Sequence, residues 1–368
     1  MQLSSLPGKH STFNEDKIII EAFMRPAKAV GGDFYDYFVV DDNLVFLVAD
    51  VSDKGFPAAM FMMKAKNAVR SAFHTKKEFE EVVEIANFLM YNDNNENMFT
   101  TMWIASINMK TGVGKYANCG HLYPFVRHQD GSVSRIENEP DLMLGVFENP
   151  QISTHLLKLT DGDTLIAFTD GLPDAVNHEG ERFGEDRLYE LIKNLPKIDT
   201  STGGVLIGHI DKYVGDTNQF DDMTSLGVHF TSFDKPEEDV ISLKAETVSS
   251  TILNDTLNEL LDKNGCPDFV RRNINVSIDE VCENIKEYAY NDSIGEYSVR
   301  YLIGKNYLEI EFIDDGAEFN PLEEKTEPFD DLQIGGLGIH LYTNIMDDVR
   351  YERINDKNHL LMIKCWSI

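Results

Sequence analysis

Four acidic motifs in the first two thirds of the chain each abut an apolar run. They are Val30-Gly-Gly-Asp33-Phe-Tyr-Asp36, Leu47-Val-Ala-Asp50-Val-Ser-Asp-Lys-Gly55, Phe168-Thr-Asp170-Gly171 and Phe220-Asp221-Asp222-Met-Thr224. Hard divalent cations such as Mg2+ and Mn2+ take carboxylate and carbonyl oxygens. Carboxylates gathered from separate strand ends can hold two such ions, which together activate a water and neutralise a phosphoryl group under in-line attack. Glycine beside an aspartate lets the backbone turn sharply and lets a carbonyl approach the ion. A lone Asp-Gly is usually only a turn. On spacing alone, a metal site and a set of turns both remain open.

A second constellation lies in the last third. Glu280 and Asn284 are four residues apart on an expected helix and so share a face. Ile313-Asp314-Asp-Gly316-Ala-Glu-Phe319 ends a strand, and Gly335-Gly336-Leu-Gly338 opens a helix. Free amides at a helix N-terminus suit anionic phosphates, although a flexible loop is the commoner use of three glycines. An aspartate in an apolar setting can accept a bond from an adenine amino group, and an amide oxygen can bind Mg2+.

The elements that would carry these residues fall into two blocks. The first has strand-like runs at Ile18–Phe23, Asn43–Ala49, Thr101–Ile107, Thr164–Phe168 and Ser225–Phe230, broken by helices over Phe56–Phe73 and Lys77–Tyr91. That alternation predicts an α+β layered domain. Residues 231–239 are polar, contain Pro236, and read as a linker. In the second block, a strand at Val240–Leu243 precedes a helix with Leu253, Leu257, Leu260 and Leu261 on one face. A helix over Asp268–Tyr290 follows, then strands Tyr297–Ile303 and Tyr307–Ile313, a helix Leu337–Met346, and strands Asp348–Arg353 and His359–Trp366. Helices on one face of a mixed sheet make a two-layer domain.

The 368 residues carry a net charge of −30, which opposes binding to nucleic-acid phosphates. The four cysteines form no CxxC pair, so reduced thiols in a cytoplasmic protein are expected. No apolar run approaches the ~18 residues of a membrane helix.

From about Lys17 to His229 the ordered strings PAKAVGGDFYDYF, LVFLVADVSDKGFPAAMFM, MFTTMWIASINMKTGVGKYANCGHLYP, DTLIAFTDGLPDAVNHEGERFG and FDDMTSL resemble the SpoIIE-type metal-dependent phosphatases of the PPM superfamily. The resemblance implies an α/β/β/α sandwich and a site for two Mn2+ or Mg2+ ions. By motif, Asp50 would bridge the ions and the Val51 carbonyl would complete one shell. Asp170 and Asp221 would bind the other ion, Asp33 would act mostly through water, and Asp222 would lie behind the ligands. Two positions depart from the family pattern. Asp53 replaces a glycine, and a solvated turn residue is the favoured reading. His121 stands in Asn-Cys-Gly-His, with a structural role favoured over orienting phosphate. Gln2-Leu-Ser-Ser-Leu-Pro7 resembles the end of a helix leading from an upstream sensor, so residues 1–16 are expected to be helical.

From about Ser242 to Lys364 the strings DEVCENIKEYAY, IDDGAEFNP and GGLGIHLYTNIMDDVRYE resemble the GHKL (Bergerat-fold) ATPase domain of anti-sigma-factor serine kinases. This implies ATP with Mg2+. Asn284 would bind the metal, Asp314 the adenine, and Gly316, Gly335, Gly336 and Gly338 the phosphates and lid. Residues 321–334 would form the lid, and Glu280 would be the general base. Tyr288 replaces a histidine common in that family. Together the resemblances imply a phosphatase domain over 17–230, a linker over 231–239 and an ATP-binding domain over 240–368. The implied substrate is a phosphorylated STAS-domain anti-sigma antagonist, with a sigma factor as a further partner and a homodimer as the assembly. In the alternative, the C-terminal domain is a non-catalytic module that binds a partner or sigma factor.

Overall fold

A strand that is apolar on both faces needs cover on both faces, and residues 43–51 read that way. Leu44, Phe46 and Val48 point to one layer while Val45, Leu47 and Ala49 point to another, all fully buried. The computed structural model describes residues 5–14, 17–75, 77–195, 202–246, 248–290, 295–322 and 337–366. It divides into two units, Met1–Phe233 and Asp234–Ile368.

The strands of the first unit are β1 (His10–Phe13), β2 (Ile18–Arg25), β3 (Phe34–Val40), β4 (Asn43–Val51), β5 (Thr100–Asn108), β6 (Val113–Cys119), β7 (Phe125–Arg127), β8 (Val133–Arg135), β9 (His155–Lys158), β10 (Thr164–Phe168) and β11 (Met223–Phe230). Its helices are α1 (Phe56–Phe73), α2 (Phe79–Tyr91), α3 (Glu185–Lys193) and α4 (Thr202–Val214). Among the described residues, one antiparallel sheet has the order β3-β4-β5-β6-β9 and the other β1-β2-β11-β10-β7-β8. Ile18, Ile20, Tyr35, Phe46, Trp103, Leu165 and Leu226 fill the layer between the sheets. Helices α1 and α2 cover the outer face of the first sheet, and α3 and α4 that of the second. The result is the expected α/β/β/α sandwich.

Helix α1 is held by more than apolar contact. Asp36 is fully buried on β3 and accepts Arg70 Nε at 2.6 Å and Arg70 Nη2 at 2.7 Å, with Lys66 at 3.8 Å. The second acidic residue of the first motif therefore clamps α1 to the sheet.

One expectation fails at the N-terminus. Residues 10–13 form strand β1, paired with β2 from His10↔Glu21 to Phe13↔Ile18, and are not part of a helix. Thr12 and Phe13 are strand-favouring types, and without β1 the edge of β2 would have unpaired backbone groups. Residues 1–4 lie outside the described residues.

The second unit holds β12 (Glu237–Lys244), α5 (Val248–Lys263), α6 (Asp268–Asn284), β13 (Glu296–Gly304), β14 (Tyr307–Asp314), α7 (Leu337–Ile345), β15 (Asp348–Ile354) and β16 (Lys357–Cys365). Its sheet has the order β12-β13-β14-β16-β15. Every pair is antiparallel, not mixed as expected. Leu253, Leu257, Ile274, Ile278 and Val281 pack against Val299, Ile310, Phe312 and Met362, giving two layers. Strand β12 begins at Glu237, so the last three residues of the expected linker belong to the sheet. They sit on an edge strand, where charged side chains are well tolerated. Helix α6 stops at Asn284 and a π-helical turn, Ile285–Ala289, follows. No helix among the described residues is long and apolar enough to cross a membrane.

The Asp36–Arg70 clamp gives a first prediction. Arg70→Ala strands a buried carboxylate, a loss of about 2 kcal/mol once the partial exposure of Arg70 is allowed for. In a Trp366→Phe background, the fluorescence of buried Trp103 should report a lower unfolding midpoint in urea. An unchanged midpoint would show that the pair contributes nothing.

Candidate metal centre and nucleotide cleft

The layer between the two sheets sets the first site. Asp33 precedes β3 with the parity of Tyr35 and Tyr37. Asp50 continues Leu44, Phe46 and Val48, Thr169 continues Leu165 and Ala167, and Asp222 precedes Thr224, Leu226 and Val228. Four polar residues thus cap one end of an apolar layer, with Asp170 and Asp221 one residue further out.

Asp33 and Asp50 share a hydrogen bond, and Thr169 Oγ1 donates to Asp33 Oδ2 at 2.6 Å. Burial, then the charge of Asp50, pushes the Asp33 carboxyl well above the usual range. Burial also pushes Asp50 up to about 7, with Asp170, Asp221 and Asp222 adding repulsion. Asp170 is open to solvent on one side but backed by protein on the other. That partial desolvation, followed by the charge of Asp221, raises it too. Asp221 takes Lys54 Nζ at 2.7 Å. The structure therefore brings Asp33, Asp50, Asp170 and Asp221 into one mutually repelling cluster.

Asp222 has a different task. Its Oδ1 accepts the Ala27 amide at 2.7 Å and its Oδ2 the Gly32 amide at 2.8 Å, which pins the loop that presents Asp33. Glycines make that approach possible. A Cβ on Gly31 would lie 1.8 Å from Asp222 Oδ2, and one on Gly171 would lie 1.8 Å from the Asp222 carbonyl oxygen. A Cβ on Gly32 would lie 2.7 Å from the Val51 carbonyl oxygen. The bare backbone thus leaves Val51 approachable.

These features fit a divalent cation. The donors are all hard oxygens, the carboxyls repel one another, and a side chain at Gly32 would fill the space beside the Val51 oxygen. Among the described residues, no group of three or more His, Cys, Asp or Glu side chains is already arranged to hold an ion.

The two departures from the family pattern are structural. Asp53 is exposed with φ of 66°, a left-handed turn conformation that explains the family's glycine. His121 is buried. Its ring Nδ1 pairs with Thr101 Oγ1 at 2.9 Å, its amide donates to Asn118 Oδ1, and burial lowers its pKa to about 4. A neutral imidazole there supports the strand end and supplies no charge to a phosphate. Sequence reasoning missed Thr169, although its position on the inward side of the strand, next to Asp170, was a readable signal.

In the second unit, β14 alternates inward Leu308, Ile310 and Phe312 with outward Glu309 and Glu311, and Asp314 continues the inward series. Asp314 Oδ1 accepts the Gly316 amide at 3.0 Å and Asn358 Nδ2 at 2.8 Å, which leaves Oδ2 for a ligand. Burial raises its pKa. Asn358 also donates to the Ala317 carbonyl at 2.9 Å. Its Oδ1 accepts Tyr351 Oη at 2.7 Å and Arg353 Nη1 at 2.6 Å. A cleft open to solvent is lined by Asn284, Ala289, Phe312, Asp314, Phe319 and Asn358 among others. Among the described residues, buried Nδ2 of Asn284 has no partner, and the residue stands where α6 becomes a π turn, a distortion common at functional sites. Glu280 is half-buried one helical turn earlier. Gly338 lies in the first turn of α7. Gly335, Gly336 and most of the expected lid lie outside the described residues. Asn358, Tyr351 and Arg353 carried no local motif and were missed.

Known protein families match both units. The family model for Stage II sporulation protein E (SpoIIE) matches residues 40–231, more than half of the chain, and that for the histidine kinase-like ATPase domain matches 241–364. The chain belongs to the SpoIIE phosphatase family, with a histidine kinase-like ATPase domain after it. It is 31% identical over 242 residues to Protein IcfG of Synechocystis sp., covering 57% of this chain and 37% of that protein. It is 30% identical over 169 residues to phosphoserine phosphatase RsbU of Bacillus subtilis, covering 45% of this chain and 50% of that one. Serine-protein kinase RsbW of Bacillus thuringiensis is 31% identical over 118 residues, 30% of this chain and 72% of the relative. The chain thus spans half or less of the length of IcfG and RsbU. The SiaA-PP2C domain of Pseudomonas aeruginosa shares the first unit's fold, with a TM-score of 0.52 at 20% identity over 57% of this chain and 85% of that domain.

The raised carboxyls predict a pH and metal dependence of stability. An unfolded carboxyl ionises near pH 4, whereas folded Asp50 resists until about 7. The metal-free fold therefore loses stability as pH rises through that interval and does not regain it above. With chelator at pH 8, Asp50→Asn should unfold later than wild type, by roughly 1–3 kcal/mol. Mn2+ should stabilise the wild type and reverse the order. Earlier unfolding of the variant under chelator would contradict the repulsion argument.

Proposed function

We propose that the first unit is a metal-dependent protein phosphatase that removes phosphate from phosphoserine or phosphothreonine. Its physiological substrate is proposed to be a STAS-type anti-sigma antagonist. The observation that carries this reading is the convergence of Asp33, Asp50, Asp170 and Asp221 at the ends of strands from both sheets, with the Val51 carbonyl left approachable. Two divalent ions held by these groups would supply charge neutralisation and activation of water. The protein's part is to fix the donors. Asp222 and the glycines hold the Asp33 loop, Thr169 orients Asp33, and the buried strand β4 presents Asp50 and Val51. Hydrolysis joins the water oxygen to phosphorus and breaks the bond to the seryl oxygen, which leaves protonated. No side chain need bond to phosphorus.

For the second unit we propose ATP binding with Mg2+, Asp314 receiving the adenine amino group and Asn284 the metal. Glu280 would act as base toward a partner's serine hydroxyl. The resemblance to RsbU and RsbW supports a partner switch in which one unit removes what the other adds, with a sigma factor as a further partner.

Two measurements test these assignments. Mn2+-dependent phosphate release from a phosphoserine peptide should fall about 100-fold or more in Asp170→Asn, the scale on which one charge-stabilising group acts. Equal turnover in both proteins would remove Asp170 from the site. By calorimetric titration, Asp314→Asn should weaken ATP about 30-fold, roughly 2 kcal/mol. Glu280→Ala should retain ATP but lose transfer of its γ-phosphate to a partner serine, and transfer that survives would overturn the base assignment.

A further inference from the structure

Beside the carboxylate cluster lies a shallow recess, open to solvent and sharing Asp221 with the metal site. Its buried floor is Ala175, Val214 and Met223, and its walls include Val176 and Phe220. Phe220 is 78% exposed although it immediately precedes Asp221. Lys54 Nζ, the partner of Asp221, lies 4.7 Å from the centre of its ring.

The recess is built rather than incidental. Gln219 Nε2 donates to the carbonyls of Asp221 at 2.7 Å and Arg25 at 2.8 Å, while Arg25 Nε donates to Gln219 Oε1 at 2.7 Å. Arg25 Nη2 also reaches Asp211 on α4 at 2.7 Å. The segment that carries Phe220 is therefore tied to β2 and to the helix ending at Val214. Asp174 at the rim is engaged by Arg182 Nη1 at 2.8 Å.

We infer that this recess receives an aliphatic side chain immediately next to the phosphoserine of a protein substrate. The inference rests on the phosphatase reading and adds a sequence preference to it. A phosphoserine seated at Asp50, Asp170 and Asp221 must send its flanking residues over the rim of the site, and the recess shares Asp221 with that site. The apolar floor offers no partner to a charged side chain, which would be desolvated there. An aliphatic group gains by covering Phe220 and Val176.

The test uses the full chain with Mn2+ and phosphoserine peptides that differ only in the residues on either side of the phosphoserine. A leucine neighbour should give kcat/KM about tenfold or more above glycine, the scale for a filled apolar pocket. Glutamate should fall below glycine. In Val176→Asp the leucine-to-glycine ratio should collapse towards one, and Val176→Ile, which keeps the wall apolar, should retain it. Equal kcat/KM across the wild-type series, with turnover of an aryl phosphate intact, would overturn the inference while leaving the phosphatase reading in place. A wild type inert towards aryl phosphate with Mn2+ would overturn both.

Discussion

Like charges brought together at the mouth of an apolar layer are the constraint around which the first unit is arranged. Asp33 and Asp50 are presented by buried strands with the same parity as the tyrosines and aliphatic residues between the sheets. Their carboxyls have lost water without gaining a cation from the protein, and their pKa values rise accordingly. Such an arrangement opposes folding. It persists only because the sandwich beneath it is over-determined. Apolar packing on both faces of β4 stabilises the strand that carries Asp50, at about 1.5–3 kcal/mol for each large aliphatic side chain buried.

The surrounding polar groups then read as a division of labour. Asp36, three residues from Asp33, is neutralised by Arg70 and joins helix to sheet. Asp222, next to Asp221, is satisfied by backbone amides and shapes a loop. The carboxyls of the repelling cluster keep fewer ties: Asp33 accepts the Thr169 hydroxyl, and Asp221 takes Lys54 and the Asp222 amide. Proximity in sequence thus separates from role. In each acidic pair one member joins distant segments of the fold, and the other faces further carboxylates.

That separation explains what the sequence could disclose. The apolar run over 43–49 and the apolar stripes of α2, α5 and α6 made the layers legible, because such patterns are local. The strand-end aspartates were legible for the same reason, each being a polar residue where the apolar series stops. The roles of Asp36 and Asp222 were not, because they depend on Arg70 and Ala27, 34 and 195 residues away. Strand β1 was missed because a four-residue edge strand is defined by its neighbour β2 rather than by its own pattern. The antiparallel course of the second sheet was equally non-local.

The second unit repeats the principle with a different outcome. Asp314 continues the inward series of β14 as Asp50 continues that of β4, but here one carboxylate meets amide donors rather than other carboxylates. Asn358 and the Gly316 amide both bind Oδ1, so the group is held in one orientation with a single oxygen presented. A cluster of unsatisfied carboxylates suits a multiply charged cation, whereas a lone, half-satisfied carboxylate suits a neutral donor such as an amino group. One placement rule, an acid at the point where an inward-facing series reaches solvent, therefore yields two kinds of site. What distinguishes them is the number of donors the rest of the fold turns towards the acid.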